Sequence, residues 1–306
     1  MDRRSFIKIA AASALAVGAK GANAAIFDGE NYRNAIQQDD AGLSVRFLGT
    51  GAADWFDKDE RGEYRRLSSV LLEGHIIIDF TPSAKDMIPP MAHPDTIFYT
   101  HSHGDHYNPK AAIELGIKRV YLSNTWYDCA VADFTREAKK LKVSAPEIIP
   151  LYVGQSVEVG GVRFTPAPAN HATAKRYEQP LIYVVEKGHV RLLYATDTAT
   201  LPAYTTRWLN IDRHVAEAKP LTAIIMEATM GMGHNEDYRL FTHSSVFDVE
   251  RMVKVLTSTK RYTPPVGQPV YLTHMARTMH GTQAELDAQL PAPLKAAYDG
   301  LEVVFR

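Results

Sequence analysis

The fold of this chain is decided by one segment, YTHSHGDH, at residues 99–106. An apolar run over residues 96–100 predicts a β-strand that leads directly into the segment. Side chains two positions apart in an extended chain lie on the same face, so His101 and His103 are placed to bind one metal ion. The segment therefore predicts a metal site at the end of a strand.

The rest of the segment supplies two more candidate ligands. Gly104 gives the backbone the freedom to turn, and the turn directs Asp105 and His106 towards a second ion. A single histidine is more often a core or surface residue than a ligand. Three histidines and an aspartate within six residues, directly after a strand, are not explained in that way. The pattern indicates a centre for more than one ion.

Three further candidate ligands each come just after a predicted strand. They are His171, Asp197 and His274. Loops at the ends of strands on a rigid scaffold commonly carry functional side chains. Together with the first segment they give five histidines and two carboxylates, a set that suits two divalent ions about 3.5–4 Å apart.

The composition agrees with metal chemistry based on nitrogen and oxygen ligands. The 306 residues include 12 histidines but a single cysteine, Cys129, which points away from sulfur sites and excludes internal disulfides. The 34 Lys and Arg are balanced by 35 Asp and Glu, for a net charge of −1. Because neutralising a phosphate backbone requires an excess of basic residues, long nucleic acids are not expected as partners.

Residues 1–24, MDRRSFIKIAAASALAVGAKGANA, have the order of a secretory signal, although an amphipathic N-terminal helix is the open alternative. Arg3 and Arg4 precede an alanine-rich stretch too short to span a membrane, so no stable membrane insertion is expected. The segment resembles a twin-arginine export signal, which implies the twin-arginine export machinery as a partner and a periplasmic location. Cleavage after residue 24 removes four positive charges and one negative, and leaves a domain at residues 25–306 with net charge −4.

The remainder of the chain alternates short β-rich runs with amphipathic stretches. Hairpins are predicted around Gly74, Gly160 and Gly188. The predicted helices include residues 109–115, 127–141, 203–218 and 245–256, and the later strands cover residues 223–227, 270–273 and 301–305. Strands grouped in hairpins with helices between them predict two packed sheets with helices outside, in one α/β domain.

The series His-x-His-x-Asp-His, then His, Asp and His in this order, resembles the metallo-β-lactamase superfamily over residues 45–304. The resemblance implies a four-layer αββα sandwich, the metallo-β-lactamase fold, with a metal centre at one edge. It implies two divalent ions, with zinc expected and manganese or iron left open because mixed His and Asp ligands suit all three. The implied ligands are His101, His103 and His171 for the first ion, Asp105, His106 and His274 for the second, and Asp197 as a bridge.

Within the superfamily, the sequence is most similar to the phosphodiesterase branch, which includes a cyclic phosphodiesterase and the tRNA 3′-processing endonuclease. The matching segments are FLGTGA at residues 47–52, RLSSVL at 66–71, LTHMAR at 272–277 and the terminus at 290–305. True β-lactamases lack a bridging aspartate, and glyoxalase II adds a C-terminal helical region for which 32 residues after His274 are too few. The tRNA enzyme carries an arm for which the 26 residues from His171 to Asp197 leave no room, so tRNA is a weak candidate.

His243, in the segment FTHSS at residues 241–245, stands where that branch has a histidine that is not a ligand. The resemblance implies that it lies beside the metal centre, and a histidine there whose pKa lies near its unperturbed value can donate a proton to a leaving alkoxide. The resemblance also implies that Asp105 orients the attacking hydroxide. The open alternative for His243 is a solvated turn before a helix, and Ser244 is predicted to cap that helix in either case.

Substrate contacts are predicted on two groups of side chains near these motifs. The first group is aromatic, with packing as an equal alternative: Trp55, Phe56, Tyr107, Trp126 and Tyr127. The second group contains arginines able to bind a phosphate bidentately: Arg65, Arg66 and Arg277.

The predicted function is a dinuclear metal-dependent hydrolase of a small phosphodiester, such as a cyclic one. In this hypothesis a metal-activated hydroxide attacks phosphorus and His243 is the general acid. Two alternatives stay open: the same metal site acting on a lactone or another carboxylic ester, and a non-catalytic metal-binding protein. The expected partner is a small-molecule ester substrate, and a homodimer is left open.

Overall fold

The computed structural model describes residues 42–212, 214 and 218–306, and all of them fall in one compact unit. The predicted signal at residues 1–24 lies outside the described residues and stays a prediction. The strands are β1 Leu43–Gly49, β2 Ser69–Leu72, β3 Ile76–Ile78, β4 Thr96–Phe98, β5 Arg119–Ser123, β6 Glu147–Leu151, β7 Val157–Val159, β8 Val162–Pro168, β9 Leu181–Lys187, β10 Val190–Ala195, β11 Ala223–Glu227, β12 Val270–Thr273, β13 Leu294–Ala296 and β14 Glu302–Phe305.

The helices connect these strands. The α-helices are α1 Pro109–Leu115, α2 Tyr127–Leu141, α3 Ala203–Trp208, α4 Val246–Ser258 and α5 Gln283–Gln289. Short 3₁₀ helices cover Pro82–Met87, Asn124–Trp126 and Tyr238–Phe241. No helix among the described residues has both the length and the apolar character needed to cross a membrane.

The strands form two seven-stranded sheets with the orders β14-β1-β2-β3-β4-β5-β6 and β13-β12-β11-β10-β9-β8-β7. Each sheet is antiparallel in one half and parallel in the other: β3 to β6 run parallel in the first sheet, and β10 to β13 in the second. Parallel neighbours require a crossover connection, and the α-helices lie in these crossovers. The carboxyl ends of the parallel strands therefore meet at one edge, where ligand-binding loops are usual in α/β sheets.

The core shows why the molecule has four layers. Alternate residues of β3 face opposite sides: Ile76 and Ile78 pack between the two sheets, whereas Ile77 packs against the layer of α1 and α2. Between the sheets, Phe98 stacks on Phe164 of the opposite sheet with ring centroids 4.0 Å apart. On the other face of the second sheet, α4 buries Val249 and its apolar neighbours. The predicted αββα arrangement is confirmed.

Most predicted elements have the expected bounds, including α1, α2, β11 and β12. The helix predicted over residues 203–218 is wrong in length, because α3 ends at Trp208. Leu209 and Ile211 turn into the core on either side of Asn210, whose φ of 58° ends the helical path. The strands β6 and β13 were not predicted.

The cap of α4 also differs from the prediction by one residue. Ser245, not Ser244, is the N-cap: its side chain accepts a hydrogen bond from the backbone N–H of Asp248, whose carboxylate accepts one from the Ser245 N–H in return. Ser244 is buried, and its hydroxyl donates to the Thr198 carbonyl 2.8 Å away. Ser244 therefore ties the segment before α4 to the loop after β10.

Candidate metal centre

The structure brings all seven predicted ligands together at the carboxyl edge of the sheets. His101 lies in the loop after β4, Asp197 lies two residues after the end of β10, and His274 directly follows β12. Their ligand atoms form overlapping groups in which every atom lies within 4.8 Å of the others. The groups are His101 with His103 and His171; His101 with His106 and Asp197; and Asp105 with His106 and His274.

The first group consists of three converging imidazoles. His103 Nδ1 lies 3.0 Å from His101 Nε2 and 3.2 Å from His171 Nε2. His171 Nδ1 donates to the carbonyl oxygen of Thr242 at 3.0 Å, which leaves Nε2 as the atom that faces the group. Converging imidazole nitrogens, with the outer nitrogen of His171 held in this way, fit a divalent cation.

The second group joins carboxylates to imidazoles. His106 is fully buried, and its Nδ1 donates to Asp79 Oδ2 at 2.8 Å. Its Nε2 faces Asp197 Oδ2 at 3.0 Å and Asp105 Oδ2 at 3.3 Å, so a bound cation would take the place of the Nε2 proton. Burial alone would lower the pKa of His106, but these three carboxylates raise it well above the ordinary value. The carboxylates around His106 therefore favour a positive charge at Nε2, and a bound cation would supply it.

Two of the predicted ligands have an unusual backbone conformation. Asp197 has a φ of 49° and His274 a φ of 53°, in the left-handed region that residues other than glycine seldom adopt. Asp79, directly after β3, has a φ of 56°. Each of these residues ends a strand with a sharp turn that aims its side chain into the cluster. Such strained positions are commonly found at functional sites.

Asp79 was not predicted from the sequence, yet it supports the cluster by accepting a hydrogen bond from His106 on the side away from the other ligands. Its carboxylate is fully buried and accepts hydrogen bonds from the Thr100 backbone N–H at 2.8 Å, the Thr100 hydroxyl at 2.7 Å and His106 Nδ1. Burial raises the pKa of Asp79, and His106 and Thr100 oppose this rise. Asp79 therefore fixes the His106 ring with Nε2 towards the cluster. The available signal was an aspartate directly after the apolar run Ile76–Ile78.

Asp79→Asn tests this positioning role. We expect zinc affinity to fall about 10- to 100-fold, because an amide no longer enforces one His106 tautomer with a negative charge behind it. Competition with a chromogenic chelator would measure the affinity. Asp86→Asn is the matched control, since Asp86 is exposed and pairs with Arg66 away from the cluster. Equal zinc affinity in the two variants would contradict the role.

His243 lies beside the ligands and is held by a buried carboxylate. Its Nδ1 is 3.2 Å from both oxygens of Glu227, which is fully buried at the end of β11. Burial opposes protonation of His243, but the Glu227 carboxylate and Asp197 raise its pKa to about 9. The Glu227 carboxylate also accepts hydrogen bonds from the hydroxyl of Thr229 and the backbone N–H of Thr198. Glu227 thereby positions His243 through its Nδ1, as Asp79 positions His106 through its Nδ1.

A cleft of about 310 Å³ opens over the cluster. His101 and His106 are fully buried and do not line it. The other five predicted ligands line it, together with His243, Arg239 and small residues: His103, Asp105, His171, Asp197, His274, Ala52, Ala53 and Ala276. The cleft is thus open to small molecules on one side of the ligand set.

The predicted substrate contacts are placed elsewhere. None of the five predicted aromatic residues and none of the three predicted arginines lines the cleft. Trp55 is buried and donates from Nε1 to the Met275 carbonyl at 2.7 Å, and Trp126 packs edge-on against Tyr107. The guanidinium of Arg65 is bound by its neighbours, including the Ala297 carbonyl at 2.8 Å. Sequence reasoning missed Arg239, which stands four residues before His243.

Comparison with known proteins agrees with this geometry. A family profile described as "Beta-lactamase superfamily domain" matches residues 76–275. The chain belongs to this superfamily. The matched span contains the whole predicted ligand set, from His101 to His274.

Individual members of the superfamily show how far the likeness extends. A metal-dependent hydrolase from Methanoculleus marisnigri is 32% identical over 115 residues, which are 35% of this chain and 45% of that protein, so the match spans less than half of the relative. A diphosphatase from the PhnP family has a TM-score of 0.60 at 20% identity and covers 86% of this chain and 97% of its own. A long-form RNase Z from yeast has a TM-score of 0.56 at 14% identity, and the match covers 88% of this chain and 42% of the RNase Z chain. At these identities the likeness of the two structures to this chain is a likeness of fold.

Proposed function

We propose that this superfamily member is a dinuclear metal-dependent hydrolase of a small phosphodiester, such as a cyclic one. The observation that carries the proposal is the position of His243 in the cleft. It is an imidazole held by buried Glu227, and it faces the same space as the ligand set. A metal centre combined with a separate proton donor suits a substrate whose leaving oxygen requires protonation.

The residues that would hold the ions are the seven that converge at the sheet edge. The Nε2 atoms of His106 and His171 and the carboxylates of Asp105 and Asp197 fit divalent cations, with zinc expected and manganese or iron as the alternatives. Two such ions would supply a nucleophile from water at neutral pH and polarise a phosphoryl oxygen.

The chain's own residues supply orientation and a proton. Burial raises the pKa of Asp105, but His106 and His274 lower it well below its ordinary value. Asp105 is therefore ionised and can orient the attacking water. His243 Nδ1 is directed at Glu227, and its Nε2 has no hydrogen-bond partner among the described residues. The Nε2 proton is therefore available to the departing oxygen.

The test compares three substrate classes on the purified protein. Elemental analysis establishes the bound metal, and turnover is measured with bis(p-nitrophenyl) phosphate, a lactone and a cephalosporin. We expect a clear preference for the phosphodiester. Preference for the lactone would favour the carboxylic ester alternative, and two bound ions without turnover of any ester would favour a metal-binding protein.

We also propose that the protein is exported to the periplasm by the twin-arginine machinery. The support is the N-terminal sequence, in which Arg3 and Arg4 precede an alanine-rich stretch. Replacing both arginines by lysine should retain the protein inside the cell at its full length. Cell fractionation and mass measurement of the exported form would show this, and export of the double-lysine variant would contradict the route.

A further inference from the structure

One cationic side chain stands out in the cleft. Arg239 is the single lysine or arginine among the described residues that line it, whereas Asp54, Asp105 and Asp197 contribute carboxylates. A phosphodiester is a monoanion, so its approach to a cleft lined by carboxylates is helped by a cation that is not itself neutralised by the ligand set. Arg239 is placed to supply that charge.

The Arg239 guanidinium is held on one side and open on the other. Its Nη1 donates to Asp237 Oδ2 at 3.2 Å and contacts Met279 Sδ at 3.4 Å. Its Nε and Nη2 have no hydrogen-bond partner among the described residues, and the side chain is 31% exposed. Two adjacent N–H groups form a planar fork that matches two oxygens of a phosphate. The contact with Asp237 restrains the side chain without occupying this fork.

The backbone links Arg239 to the chemistry of the site. The Arg239 carbonyl accepts hydrogen bonds from the N–H of Thr242 at 2.8 Å and of His243 at 2.7 Å. The Thr242 carbonyl in turn accepts the hydrogen bond from His171 Nδ1. One turn therefore contains Arg239, the Thr242 carbonyl that binds the predicted ligand His171, and the proposed proton donor His243.

We propose that Arg239 is a specificity-determining residue that binds a non-reacting anionic oxygen of the substrate. This inference rests on the proposed function, and it narrows the substrate to an ester that carries negative charge next to the scissile bond. Arg239 acts in binding, and His243 acts in the chemical step. The two residues therefore have separable kinetic effects, on KM and on kcat.

The kinetic test uses Arg239→Gln and Arg239→Lys in the metal-loaded enzyme. With bis(p-nitrophenyl) phosphate, R239Q should raise KM about 20-fold and leave kcat within about threefold, because a charge-assisted hydrogen bond to the substrate is lost. With neutral p-nitrophenyl acetate, KM should not change. R239K should recover part of the loss, because it keeps the charge but not the fork. The control is Arg163→Gln, an exposed arginine on β8 that does not line the cleft. An unchanged KM for the diester, or an equal rise for both substrates, overturns the proposal.

A binding measurement separates this proposal from the proposed function. Inorganic phosphate is titrated calorimetrically into the zinc-loaded wild type and R239Q, which requires no turnover. We expect about 20-fold weaker phosphate binding by R239Q. Equal phosphate binding overturns the role of Arg239. A wild type that binds phosphate through Arg239 but hydrolyses no phosphodiester instead contradicts the proposed function alone.

Discussion

Asp197→Ala is expected to lower kcat/KM for a phosphodiester by at least about 10³-fold and to remove most of the bound metal. The reason is the position of its carboxylate between both groups of ligands. Asp197 Oδ2 lies 3.0 Å from His106 Nε2 and 3.3 Å from His274 Nε2, and Oδ1 lies 3.8 Å from His171 Nε2. A carboxylate in this position contacts ligands of both proposed ions.

The number of ions lost reveals whether Asp197 is a bridge. Elemental analysis after dialysis would count the ions per chain in the wild type and the variant. If Asp197 bridges the two ions, both sites weaken together and the variant retains less than one ion. Retention of one full ion would assign Asp197 to a single site, and retention of two with normal turnover would remove it from the centre.

Folding has to be controlled in this experiment, because Asp197 is buried and lies in a turn with φ 49°. Asp197→Asn keeps the shape and one oxygen but loses the charge, so it should fold like the wild type and still bind metal poorly. Far-ultraviolet circular dichroism of both metal-free variants would check the fold. Asp86→Ala serves as a surface control, since its partner is Arg66 outside the cleft.

The clustering of the seven predicted ligands could be foreseen because each lies next to a strong local signal. His101 and Asp197 follow apolar strands, and the parallel halves of the two sheets bring strand ends to one edge. Asp79 and Glu227 carry a similar signal, since Asp79 directly follows β3 and Glu227 is the last residue of β11. Their roles nevertheless depend on partners 27 and 16 positions away along the chain, His106 and His243. Such pairings arise from tertiary packing, which local pattern does not encode.

The residues predicted to contact substrate do not line the cleft, for a related reason. Residue type gives a general tendency to contact a ligand, but accessibility depends on what packs around the residue. Trp55 is 5% exposed because the chain folds over it, and Arg277 places its guanidinium over Phe56. Arg239 was missed because nothing in its immediate sequence distinguishes it. Its position in the cleft depends on the turn that leads to His243.

His243→Ala is expected to act selectively, according to the leaving group. For a diester with an alkyl leaving group, kcat should fall about 10²- to 10⁴-fold, because a poor leaving oxygen requires a proton as the bond breaks. For a p-nitrophenyl leaving group, which departs well as an anion, the fall should be within about tenfold. Plotting log kcat against the pKa of the leaving alcohol for wild type and variant would show a steeper dependence in the variant.

Metal content separates this role from simple coordination. The ligand atoms of His243 lie within 4.8 Å of those of His171 and Asp197 in one group and of Glu227 and His274 in another, so a ligand role is the structural alternative. A proton donor can be removed without loss of ions, whereas a ligand cannot. Full metal occupancy in His243→Ala together with the leaving-group dependence would support the general acid. Full rate on the alkyl diester would exclude it.

Glu227→Gln tests whether Glu227 positions the proposed proton donor, His243. The amide keeps a hydrogen-bonding group near His243 Nδ1 but removes the buried negative charge beside it. If Glu227 works by holding His243 with Nε2 towards the cleft, its variant should show the same leaving-group dependence as His243→Ala, with a smaller loss of kcat. The double variant should then be no slower than His243→Ala alone, since residues that act as one unit are not additive. Additive losses would mean that Glu227 contributes by a separate route, such as its hydrogen bonds to Thr198 and Thr229.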